Sequence, residues 1–309
     1  GNAPFINVAG VKNNGIDMSL TYHQNLSKKL KLDAGLILTT YHNEITQVTD
    51  QANYFWTNDQ RHYGSNFIRN EVGHAIGSFY GYKITGFWNS AADIATADQA
   101  AQKETGNTTA IYQPDEAVGR FRYADLNGDQ HITDSDRTFL GNPNPKFSYG
   151  LNLRLTYGQF DMSMFFYGVH GNDLWNVTKY WTDFSGYAEA KSKTALYNSW
   201  SPTHQNAKVS LPELGQYQST NGAPNSYYIE NGSYLKLKNI EIGYTFPVSL
   251  LKNIGIDRFR VYFQATNVFT VTKYSGIDPE VSGSVTDFGV DEGIYPNMRQ
   301  FLGGISLSF

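Results

Sequence analysis

The amino-acid sequence predicts an all-β fold, a transmembrane antiparallel β-barrel segment of about seven strands with long loops at one end. In the last fourteen residues, Pro296 to Phe309, the residues Phe301, Gly303, Ile305, Leu307 and Phe309 fall on one face of an extended strand. Gln300, Gly304, Ser306 and Ser308 fall on the other, and the sequence stops on the aromatic. One apolar and one polar face is what a wall between lipid and an aqueous lumen requires. The same alternation recurs in hairpins along the chain. Between the hairpins lie three long polar stretches, 47–146, 171–228 and 273–295, whereas the other connections are short. Short turns at one end and long loops at the other is the asymmetry of bacterial outer-membrane barrels, and such loops are too long for an ordinary sandwich.

The elements follow in order. Ile16, Met18, Leu20 and Tyr22 alternate with Asp17, Ser19, Thr21 and His23, and a basic turn around Ser27 to Lys29 leads into Leu30, Leu32, Ala34, Leu36 and Leu38. Within the first long stretch, Ala91 to Glu104 has helical composition, and Gly77 to Trp88 reads as a strand or hairpin. The latter either lies above the membrane or has an undetected partner strand, because the inward and outward strands balance only if 47–146 makes no net crossing. From Phe147 to Tyr157 the alternation is without fault, and after Gly158-Gln159 the apolar parity moves to Phe160, Met162, Met164 and Phe166. A tight turn at Gly158-Gln159 sets Leu155 opposite Met162 and Leu153 opposite Met164, so the apolar face continues. A third pair runs from Tyr234 to Phe246 and from Arg258 to Thr272. Its parity shift, from Leu235 and Leu237 to Ile240, Ile242 and Tyr244, predicts a β-bulge near Lys238-Asn239. Leu151, Leu153, Leu155, Met162, Met164, Ile305, Leu307 and Phe309 are therefore expected to face lipid. Asn152, Arg154, Thr156, Asp161, Ser163, Ser306 and Ser308 are expected to face the lumen or a plug within it. An odd set of strands has free edges that lipid cannot satisfy, so the wall is expected to be completed by residues outside this sequence.

Composition fits. Of 309 residues, 22 are Tyr, 19 Phe and 5 Trp against 4 Met, which favours strands and interfacial aromatic girdles over packed helices. No run approaches the roughly 20 apolar residues of a membrane helix, but a barrel strand shows lipid only every second residue. Cysteine is absent, so disulfides and thiolate metal sites are excluded. The net charge of −4 argues against nucleic acid as a partner. The opening Gly-Asn-Ala-Pro-Phe-Ile carries no secretory signal, so an outer-membrane reading expects the sequence to be the downstream part of something longer.

Several ordered motifs resemble one family, the SusC/RagA-type TonB-dependent outer-membrane transporters. They are Gly77-Ser78-Phe79-Tyr80-Gly81-Tyr82, Phe121 to Asp136 followed by Leu140 to Phe147, and Tyr167-Gly168 with Gly171-Asn172-Asp173. Further on come Ser233 to Ile240, Asn267-Val268-Phe269 to Tyr274 to Glu280, and the terminal strand. The resemblance implies a 22-stranded barrel of the plugged kind, of which this sequence looks like the C-terminal third. It implies TonB-dependent import of oligosaccharides or peptides across the Gram-negative outer membrane, with a SusD-like surface lipoprotein as lid. It also implies contact with membrane lipid, with the remaining barrel and plug, and with TonB through an N-terminal part that this sequence lacks.

Asp125 to Asp136 reads as a calcium loop of the D-x-N-x-D type, with Asp125, Asn127, Asp129, the His131 carbonyl and Asp136 as ligands. It departs from the pattern at Gln130, where the turn prefers glycine, and at Asp136, shorter than the usual glutamate; the alternative is an Asx-rich turn without an ion. The loop aromatics Trp56, Tyr80, Tyr82, Trp88, Trp175, Tyr180, Trp181 and Trp200 could stack on sugars or peptide side chains. Loop packing or a lipoprotein interface is the preferred role for any single one. No pair among the seven histidines, His23, His42, His62, His74, His131, His170 and His204, has metal-ligand spacing on a helix. No nucleophile elbow, phosphate loop or dinucleotide fingerprint is present, so a catalytic role is not expected. The competing reading is a secreted or surface β-rich glycan-binding module or glycoside hydrolase. The two long loops 47–146 and 171–228 are expected to form the rim on which the lipoprotein closes, and deleting Trp175 to Trp200 is expected to spare the wall.

Overall fold

The computed structural model describes residues 9–49, 52–57, 65–184, 191–252 and 255–309. Seven strands form one antiparallel sheet in strict chain order: β1 (Ala9–Asn25), β2 (Leu30–Val48), β3 (Phe147–Tyr157), β4 (Phe160–His170), β5 (Tyr234–Thr245), β6 (Arg258–Thr272) and β7 (Gln300–Ser308). The shortest has 9 residues, the length a tilted transmembrane strand needs. Directly opposed residues of an antiparallel pair share a face. The register therefore draws continuous apolar rows across the sheet. One runs Leu20, Leu36, Leu151, Phe166, Leu237, Phe269, and another Tyr22, Ala34, Leu153, Met164, Ile240, Ala265, Phe301.

The hairpin turn is where the sequence put it. Tyr157 pairs with Phe160, and Gly158 takes φ +60, which a two-residue hairpin turn with glycine in first place demands. The bulge is also found: β4 steps from Asn239 to Leu237, leaving Lys238 unopposed, and the β5–β6 ladder shifts at the same place. Gly168 answers a second requirement, because the Tyr149 ring lies across it and a Cβ there would meet that ring at 2.2 Å. The polar face is less uniform than alternation suggests, since Ile37 and Leu302 lie on it.

The core cluster does not lie on this sheet, although Ile45, Tyr234, Leu237 and Ala265 of the wall are individually buried. Among the described residues, the core cluster is built from the three long connections, with Phe67, Phe79, Trp88 and Tyr123 from the first, Trp175 and Tyr228 from the second and Val290 from the third. No residue of the apolar rows belongs to it, and Ile16, Leu20, Phe301 and Ile305 are each more than 60 % exposed. A secreted sandwich would cover such a face with its second sheet.

Candidate functional site: the inner face and the loop cap

The polar face carries a charge cluster that parity alone did not single out. Arg260 on β6 reaches Asp161 on β4 at 2.5 Å and Glu241 on β5 at 2.6 Å, tying three adjacent strands. Asn152, Arg154, Thr156, Ser163, Ser306 and Ser308 share that face with Asp161, and the residues expected to face lipid occupy the other. Phe309 follows the last paired residue and is 82 % exposed.

All three long connections leave from the same end of the sheet and fold together into a cap. Gly77 to Trp88 forms two short strands, Phe79–Tyr82 and Ile84–Phe87, which pair with Arg137–Gly141 and Phe121–Tyr123 and not with the wall. The helix α1 (Ala91–Thr105) starts at Ser90, whose side chain accepts the Asp93 amide, and stops at Gly106 with φ +67. Asp173–Asn176 joins two loops, pairing with Ile229 and, in parallel, with Val290. The recognised motifs are the joints of this cap. Asn142 and Asp173 exchange hydrogen bonds at 2.8 and 2.9 Å, and Lys236, 2 % exposed on β5, holds Asp278 at 2.6 Å and Glu280 at 2.8 Å in the third loop. Removing both carboxylates of that triad would strand the buried Lys236 charge.

Most of the loop aromatics are structural. Tyr82, Trp88, Trp175, Tyr180 and Trp200 are buried, with Phe67, Trp175 and Tyr228 stacked in series. Excising Trp175 to Trp200 would thus remove the centre of the cap as well as a surface. Trp56 and Tyr80 differ: they line a cavity together with Arg69 and Arg137. Neither arginine was marked by any motif.

The Asp125 loop is fully formed. Asp125 accepts the amides of Gly128 and Gln130 at 2.7 and 2.9 Å, Asn127 accepts that of Asp129, and Asp129 accepts that of His131. Gln130 adopts φ +59, the left-handed turn a glycine would occupy more easily. Asp136 is completely buried, and its oxygens accept the amides of Leu126 and Thr133 at 2.9 and 2.8 Å, capping the short helix that follows. Among the described residues no three His, Asp or Glu side chains converge on a point that could hold a metal. Any ion there would depend on Asn127 and the His131 carbonyl. His62 lies outside the described residues.

Glu116 and Asp98 form a second acidic feature. Burial, and then the adjoining Asp98 carboxylate, push the Glu116 carboxyl up to about 8. Its Oε2 is enclosed without a donor, which a shared proton would supply.

A sheet with one bare apolar face, a charged inner face and all long loops gathered at one end defines a segment of an outer-membrane β-barrel. Among known proteins the chain is similar to TonB-dependent receptors, SusC among them, and in fold to the RagAB transporter. The chain is 31 % identical to TonB-dependent receptor P3 of Formosa agariphila, over 98 % of its own length and 29 % of the receptor's. It is 29 % identical to TonB-dependent receptor SusC of Bacteroides thetaiotaomicron, over 98 % of its own length and 27 % of that protein's. Among solved structures it overlays the RagAB peptide transporter with a TM-score of 0.75 at 24 % identity, and the closed-closed state of the RagAB peptide importer at 0.73 and 26 %. These matches cover 98 % of this chain and 29 and 30 % of those chains. No family model matches. The chain thus spans less than a third of the relatives it matches.

Proposed function

We propose that this chain forms part of the wall and of the external cap of a TonB-dependent importer of oligosaccharides or peptides, working with a SusD-like lipoprotein at the outer membrane. One observation carries the reading: among the described residues the apolar rows of the seven-stranded sheet stay outside the core cluster, which is built in the loops, and Ile16, Leu20, Phe301 and Ile305 on them are more than 60 % exposed. An apolar surrounding such as lipid makes that arrangement stable. The remaining strands, plug and TonB contact belong to the longer protein of which such a wall is a part. No catalytic role is assigned; the cap offers recognition and the inner face a charged lining. Within the cap, the Asp125 loop is proposed to bind calcium weakly through Asp125, Asn127, Asp129 and the His131 carbonyl, with Asp136 closing the turn.

The full receptor, expressed with its neighbouring lipoprotein, should fractionate with outer membranes, need detergent for extraction and support uptake of its nutrient only with TonB present. Monodisperse protein extracted without detergent would refute this reading and return the competing one, a surface glycan-binding module.

A further inference from the structure

The cavity between the hairpins of the first long loop is charged in an unequal way. Its volume is about 500 Å³, and its walls include Tyr54, Trp56 and Tyr80 with the guanidinium groups of Arg69 and Arg137. Arg69 has a carboxylate partner, Glu71, at 2.6 Å, and lies 3.9 Å from the Tyr54 ring centre and 4.6 Å from that of Tyr80. Arg137 has none. It is only 9 % exposed, and both of its hydrogen bonds leave from Nη2, to the carbonyl oxygens of Asn66 and Tyr80. Its Nε is enclosed without a partner, and its guanidinium carbon sits 5.3 Å from the rings of both Trp56 and Tyr80. Burial holds this guanidinium below its ordinary pKa, the mark of a cation short of solvation. Asp134 on the rim acts on it only at a distance: its field favours the cation, but its Oδ1 accepts the Tyr82 hydroxyl at 3.1 Å and makes no ion pair with Arg137.

A buried cation with no anion in contact is unfavourable until one arrives. A planar guanidinium matches a carboxylate, and flanking aromatic faces suit a ring or short chain behind it. We propose that this cavity binds a carboxylate carried on a ring or short chain, Arg137 taking the carboxylate and Trp56 and Tyr80 packing against its carrier. Two sources share that chemistry, an acidic sugar in an oligosaccharide and an acidic side chain or C-terminus of a peptide. The proposal rests on the importer reading and names its substrate class, but binding requires neither TonB nor transport.

The test is calorimetry on the full receptor in detergent with four ligands: an oligogalacturonate, a neutral oligosaccharide of equal length, an acidic peptide, and that peptide with its carboxyl groups amidated. At least one acidic ligand should bind about tenfold or more tightly than its neutral counterpart, and the arm that does so identifies the source. Ser135→Trp, an exposed position on the cavity rim, should abolish the preference with the melting temperature unchanged. Arg137→Lys, which keeps charge but loses the fork, should weaken acidic ligands by about tenfold. Equal binding of acidic and neutral counterparts, or Ser135→Trp with wild-type preference, overturns the proposal. Were the importer reading wrong and this one right, carboxylate binding would persist without cellular uptake. In the reverse case uptake would proceed without discrimination.

Discussion

At the scale of single residues the cap shows what a sequence can and cannot disclose. The Asp125 loop was legible because its oxygens come at fixed local spacing, and the observed turn reproduces that spacing down to the strained φ of Gln130. Arg137 was not, because what sets it apart is burial with no acid in contact among the described residues, a property of the fold around it. If the loop binds calcium, terbium luminescence or calorimetry on the full receptor should report a dissociation constant of about 10⁻⁴ to 10⁻³ M, lost in Asp125→Asn. Binding unaltered by that change would remove the assignment. Glu116 makes a pH prediction of definite sign. Its carboxyl rises from 4.5 to about 8 on folding, so between those values the folded cap holds a proton that the unfolded chain releases. Cap stability should fall as pH rises through that window. Glu116→Gln, which keeps the shape without the charge, should flatten the dependence and raise the melting temperature most near pH 8. A wild-type profile flat over the same range would contradict it.

At the scale of elements, the wall strands were readable from parity because each one presents a polar and an apolar face over nine or more residues, and a register slip would exchange the two. The short strands of the cap gave no such signal. Phe121–Tyr123 and Asp173–Asn176 have three and four residues, and their pairing is decided by contacts such as Trp175 against Phe67, far apart in sequence. The two faces can be told apart by one pair of neighbours. Leu153 lies in an apolar row between Ala34 and Met164, and Asn152 lies behind it on the charged face. Arginine facing lipid near the bilayer midplane is unfavourable by roughly 2–4 kcal/mol, so Leu153→Arg should reduce the heat-resistant folded band in membranes far more than Asn152→Arg. Equal losses would mean that the faces are assigned wrongly.

At the scale of the whole molecule, wall and cap have separate stabilising logic: lipid covers the apolar rows, and the cap buries its own aromatics and is pinned to the wall by joints such as Lys236 with Asp278 and Glu280. A partner on the cap must therefore meet residues that the cap leaves out. On the second long loop Leu196, Tyr197 and Leu214 are 66, 72 and 87 % exposed, and Leu196 and Leu214 border a shallow cavity of about 350 Å³ whose lining also includes Ala195 and Pro212. Apolar side chains held out from a well-packed cap are the kind of feature an interface covers. A lipoprotein contact at these residues would be narrower than the whole span from Trp175 to Trp200, whose two ends are buried. Replacing Leu196 and Leu214 by Asp should lower co-purification of the lipoprotein by about tenfold or more, the scale of loss expected at the centre of an interface, with receptor level and melting temperature unchanged. Undiminished co-purification would show that the lid closes on another part of the rim, and the joints of the third loop around Asp278 and Glu280 would be the next place to cut.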